Sequence, residues 1–185
     1  MQQALATYNE KRTKKGRQAI RMGVGLHTGS LIMGIIGDQN RMDAATIADT
    51  VNTASRIEGL TKHYGVSILV SEDSVKQMKD SADFHLRYLG KVQVKGKKGP
   101  VGIYECVDGD QQQVEALKIQ TLSDFEKGLE QFLAREFPQA VATFDKVLRA
   151  NTSDRPARFF MNRSSEFLLK GVPDDWTGVE VMTFK

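Results

Sequence analysis

Cysteine is almost missing from the sequence: Cys106 is the only one in 185 residues. A lone thiol can form no intramolecular disulfide and suggests no cysteine-based metal site. Also missing is any apolar run near the roughly 20 residues that a membrane-crossing helix requires. The chain opens on the polar stretch QQALATYNEKR instead of a signal peptide, so a cytoplasmic location is expected, with a membrane anchor in a longer parent chain left open. Between residues 11 and 21 there is no acid, while Lys11, Arg12, Lys14, Lys15, Arg17 and Arg21 all occur there. Such a run can meet nucleic acid, a membrane surface or a nucleoside triphosphate, or simply face water. No aromatic residue is interleaved with it, which argues against a platform for stacked bases, and no nucleic-acid recognition motif is present.

What remains is ordinary globular composition, 40% hydrophobic and 26% charged, with a small net charge of +3. The length suits one full domain, or a partial domain with an appendage. A second basic patch, Arg87, Lys91, Lys95, Lys97 and Lys98, reads most simply as a solvated face. Residues 1–15 read as a helix with a short stripe of Ala4, Leu5 and Tyr8. IRMGVGLHTG alternates like a strand, and SLIMGIIG after the turn at Gly29 is expected to pair with it as a hairpin or sheet corner. VSILVS reads as a strand buried on both faces, SEDSVKQMKD as a short helix capped by Ser71, and FHLRYLGKVQVKG and VGIYECVD as strands around the turn KGKKGP.

The informative stretch is RMDAATIADTVNTASRIEGLTKHYG, residues 41–65. It reads as a loop, an N-cap at Asp49 and an amphipathic helix that stops at Gly65, with its apolar stripe through Val51, Ala54, Ile57 and Leu60. Asn52 and Arg56 stand at i and i+4 and share a helix face. An amide beside a permanent cation suits an anion whose charge grows during reaction, such as a phosphate. Asp49 could be taken for a metal ligand, but directly before a helix a cap is the simpler role. His27, at a strand end, is left out of the site.

Together with VGLHTG, the hairpin through Gly37, DTVNTASR and VKGKKG, in that order, this stretch resembles the C-terminal part of class III nucleotidyl cyclase catalytic domains. The resemblance covers residues 1–107 and implies an α+β fold, a partial ferredoxin-like core. It assigns Asn52 to orienting the ribose, Arg56 to stabilising charge on the α-phosphate, and Lys95, with Lys97 close by, to the triphosphate. Ala45 stands where the family has a polar residue that reads the purine edge, which leaves the choice between adenine and guanine open; ATP is favoured because adenylate cyclases outnumber guanylate cyclases among bacterial relatives. The family works with Mg²⁺ or Mn²⁺ held by two aspartates, in segments resembling FxDIxGFT and GDxxMAxF that do not occur in these 185 residues.

Class III sites form between two subunits, so a homodimer or an intact cyclase subunit is the expected partner. The 185 residues alone are expected to be inactive, with strand edges left unpaired beside GVGLHTG and a need for another chain. The alternative is a non-catalytic regulatory or scaffold partner of an intact cyclase. Residues 108–120 read as a linker or helix. Residues 121–185 read as a helical tail in which Gly128, Phe137, Ala140 and Phe144 keep tetratricopeptide-repeat spacing; Trp176 is expected to anchor it, and a protein partner could bind it.

Overall fold

The computed structural model describes the backbone of residues 1–38, 41–47, 49–94 and 99–181. In order these are α1 (Gln2–Thr13), β1 (Val24–Leu26), β2 (Ile32–Asp38), β3 (Arg41–Ile47), α2 (Asp49–Tyr64), β4 (Ile68–Ser71), α3 (Glu72–Gln77), β5 (Leu86–Gln93), β6 (Val101–Cys106), α4 (Gln112–Gln120), α5 (Leu122–Leu133), α6 (Phe137–Ala150), α7 (Arg155–Lys170) and β7 (Glu180–Val181). Five strands form one sheet in the order β1-β4-β6-β5-β7, and β2 and β3 form a separate two-stranded ladder. The mixture is α+β, as the motif order implies.

One expected pairing and one expected loop are corrected. β2 does not fold back on β1; it runs antiparallel to β3, so residues 41–47 are a strand and not a loop. β1 instead lies parallel to β4, from Val24 opposite Ile68 to Leu26 opposite Val70, with α2 as the crossover between them. Among the described residues nothing pairs with the other side of β1, which is therefore the sheet edge.

α2 carries the core-facing surface of the first half. Its buried residues are Thr53, Ile57, Leu60, Thr61 and Tyr64, a stripe rotated from the expected one: Val51 is 48% exposed. Thr53 can face inward because its hydroxyl donates to the Asp49 carbonyl, 2.8 Å away, so no polar atom is stranded. The helix ends at Gly65, whose φ of +70° is left-handed, and the Val66 N–H closes on the Thr61 carbonyl at 2.9 Å. Ser71 caps α3 as expected, accepting from the Ser74 N–H. α1 is helical but buries no residue.

One hydrophobic core runs from the sheet into the tail, joining Ile57, Tyr64, Leu89 and Ile103 to Phe125, Phe144 and Phe160. Trp176 packs edge-on to Phe132 at 5.3 Å and to Phe167 at 5.4 Å, the anchoring role expected of it.

The basic patch expected around Arg87 is corrected most sharply. Arg87 is fully buried, its guanidinium 4.1 Å over the Phe125 ring. It donates to Glu105 Oε2 (2.9 Å from Nε) and to Asp154 Oδ2 (2.6 Å from Nη1), while Lys118 bonds the other oxygen of Glu105 and Asp110. Burial alone would lower the pKa of both cations; the carboxylates outweigh it and hold both above their ordinary values. Asp154 also accepts from the Ala157 N–H as the N-cap of α7. Sheet and tail are thus fastened by charge as well as by apolar packing.

Candidate functional site

The site is organised by how closely α2 approaches β1. A Cβ on Gly25 would sit on the Glu58 amide nitrogen and 2.5 Å from the Ala54 carbonyl oxygen, so only glycine lets the helix lie there. The start of α2 is tied to the loop after β1 by the Thr50 hydroxyl, which donates to the Ser30 carbonyl at 2.6 Å. Asp49 lies within the first helical turn, one step inside the cap position expected for it, where its charge still favours the helix N-terminus.

From this platform Asn52 projects exposed and Arg56 half-exposed. One turn apart, they are separated by about 6 Å along the axis on one side of the helix. Among the described residues neither side chain is engaged in a hydrogen bond or ion pair. An amide and a guanidinium fork are thereby free to meet a hydroxyl and a phosphate together.

Topology adds a second element. β4 and β5 both run antiparallel to β6, and β1 runs parallel to β4, so β1, β4 and β5 end on the same side of the sheet. Gln93, at the end of β5, thus leaves the sheet at the end where Thr50 and α2 begin. Lys95 and Lys97 follow directly but lie outside the described residues. Ala45 falls in β3 opposite Gly34, where the backbone alone is described.

His27, left out of the site, hydrogen-bonds the Ser71 hydroxyl through Nδ1 at 2.8 Å. Cys106 stays a thiol: burial, then a bond to Asp108, pushes its pKa up to about 12. Among the described residues one trio of potential metal donors occurs, His85, Asp108 and Glu115. Its members come from the start of β5, the end of β6 and α4, the opposite end of the sheet from Asn52. Sequence reading missed this trio and the Arg87 network alike. His85 and Asp108 are 23 positions apart and Arg87 and Asp154 are 67 apart, separations that leave no local signal.

Residues 1–108 match the family described as "Adenylate and Guanylate cyclase catalytic domain". The chain is 46% identical over 110 residues to an adenylate cyclase of Anabaena cylindrica, covering 57% of this chain and 22% of that protein. It is 33% identical over 146 residues to a terminal-differentiation-specific adenylate cyclase of Dictyostelium discoideum, covering 78% of this chain and 7% of that one. Among solved structures, the adenylyl cyclase CyaB from P. aeruginosa is similar over 60% of this chain and 55% of that chain, at 28% identity and a TM-score of 0.49. The chain therefore spans less than a quarter of the length of these two curated relatives.

Catalytic domains of this kind bind a nucleotide, generally dimerise and generally use divalent metal. A pair of such ions needs carboxylates converging beside the phosphates. The described residues do not fit it: near Asn52 and Arg56 in α2 the first-turn acid is Asp49 alone, and the His85 trio is at the other end of the sheet.

Proposed function

Because the chain belongs to the adenylate and guanylate cyclase catalytic domain family, we propose that it supplies one half of a composite site converting ATP to cyclic AMP and pyrophosphate. Asn52 orients the ribose, and Arg56 carries the charge that builds on the α-phosphate as the ribose 3′-oxygen attacks. Lys95 and Lys97 hold the triphosphate. The observation that carries this reading is the unengaged Asn52–Arg56 pair, one turn apart on a helix pinned to β1 through Gly25. ATP is favoured over GTP because the two relatives above are named adenylate cyclases.

The carboxylates for metal come from another subunit or segment, so a polypeptide of these 185 residues alone is inactive with Mg²⁺ or Mn²⁺. Residues 1–107 are the cyclase part, 108–120 a connecting helix and 121–185 a tetratricopeptide-like tail. Gly128 supports that last assignment, since a Cβ there would meet the Phe144 ring at 2.9 Å.

Mixing tests the proposal. The chain is combined with a cyclase subunit that keeps its metal-binding aspartates but has lost its own transition-state arginine. Cyclic AMP should appear only in the mixture and vanish with Arg56→Ala. Product from the chain alone, above an Arg56→Ala control, refutes the half-site. A mixture equally active with Arg56→Ala refutes the role of Arg56 and leaves the regulatory alternative.

A further inference from the structure

We infer that His85, Asp108 and Glu115 form a binding site for a divalent transition metal of the zinc class, at the seam between the sheet and the helical tail. This rests on their geometry and charge and not on the cyclase reading. His85 Nδ1 lies 3.0 Å from Asp108 Oδ1 and 3.8 Å from Glu115 Oε1, and the three donor atoms all fall within 4.8 Å of one another. A tetrahedral ion with bonds of about 2.0–2.2 Å holds its ligand atoms roughly 3.2–3.6 Å apart. An ion placed among these three atoms therefore needs only small side-chain rotations.

Two of the three ligands are already oriented. The His85 N–H donates to Asp108 Oδ2 at 2.9 Å, and the Val107 N–H donates to the His85 carbonyl at 3.0 Å. Asp108 thus turns its second oxygen toward the imidazole, with the backbone as the supporting shell. Glu115 arrives from the first turn of α4.

The local charge also asks for a cation. Two carboxylates surround one imidazole, and among the described residues no lysine or arginine pairs with Asp108 or Glu115. The nearby buried cations, Arg87 and Lys118, are committed to Glu105, Asp110 and Asp154. One nitrogen with two oxygens selects zinc, cobalt or nickel over magnesium, which prefers oxygen alone. His85 is 49% exposed in its side chain, which leaves a way in and a coordination position for water.

The metal-free 185-residue chain is titrated with zinc chloride. The imidazole signals are followed by NMR, and affinity is measured by competition with a chromophoric chelator. The chain has three histidines, so His85 can be told from His27 and His63. One equivalent should shift the His85 ring, and excess Mg²⁺ should not reverse it. His85→Ala and Glu115→Gln, each checked for folding by circular dichroism, should weaken binding by about 10–100-fold or more. A His85 ring unmoved by stoichiometric zinc, or a Glu115→Gln chain that binds as well as the parent, overturns the site and leaves a surface His85–Asp108 hydrogen bond.

Discussion

Replacing Arg87 with methionine should destabilise the protein by about 3–5 kcal/mol, the usual cost of removing one partner from a buried ion pair. Arg87 is 0% exposed and makes four hydrogen bonds to two carboxylates that are themselves buried, Glu105 at 1% and Asp154 at 0%. Without the guanidinium, Glu105 keeps only Lys118, and Asp154 keeps only the Ala157 N–H. Methionine refills part of the volume against Phe125 and neutralises neither acid. At roughly 2–4 °C per kcal/mol for a chain of this length, the Tm should fall by about 6–20 °C. Urea unfolding is the assay, followed by far-ultraviolet circular dichroism and by the fluorescence of Trp176, which packs within the tail. Both signals should move together, because one core spans sheet and tail. A loss below about 1 kcal/mol, the range of a solvated surface pair, would refute the buried network. Fluorescence and dichroism that separate would refute the shared core.

Other expectations can be checked in the same preparations. Lys118→Met should cost less, about 1–3 kcal/mol in urea, because Asp110 reaches solvent and Glu105 retains Arg87. Gly25→Ala should push α2 off β1, lowering stability by about 1–3 kcal/mol and abolishing activity in the mixing assay; full activity would show that the close approach does not position Asn52 and Arg56. Burial, reinforced by Arg163 and opposed by Glu180, holds the pKa of His63 below 6.5. The unfolded chain therefore takes up that proton first, and stability should fall as pH drops below 6.5. His63→Gln should flatten that fall between pH 6.5 and 5, and an unchanged slope in urea midpoints would assign it to other groups. The open edge at β1 predicts self-association or poor solubility, and a monodisperse monomer in sedimentation would contradict it.

Elements whose signals are local could be read from sequence alone. The glycine at 65 ends α2 because only its left-handed backbone accommodates the closing bond, and Ser71 caps α3 with its own hydroxyl. The i and i+4 spacing of Asn52 and Arg56 follows from helical geometry once the helix is granted. Misreadings came where a distant partner decides. β1 and β2 are adjacent in sequence, yet each pairs elsewhere, because α2 carries the chain back across the sheet to β4. Thr53 replaces Val51 on the buried face since its hydroxyl is satisfied within the helix, which apolar periodicity does not register. Arg87 looks like a surface cation until Asp154, 67 positions later, is folded over it.

The two margins of the sheet are unlike. Among the described residues β7 covers Val92 and Gln93 of β5 at one end, while at the other nothing lies beside β1, whose backbone groups are open to a newcomer. An uncovered margin of that kind can be completed by a strand of another chain, or can meet a second copy edge to edge.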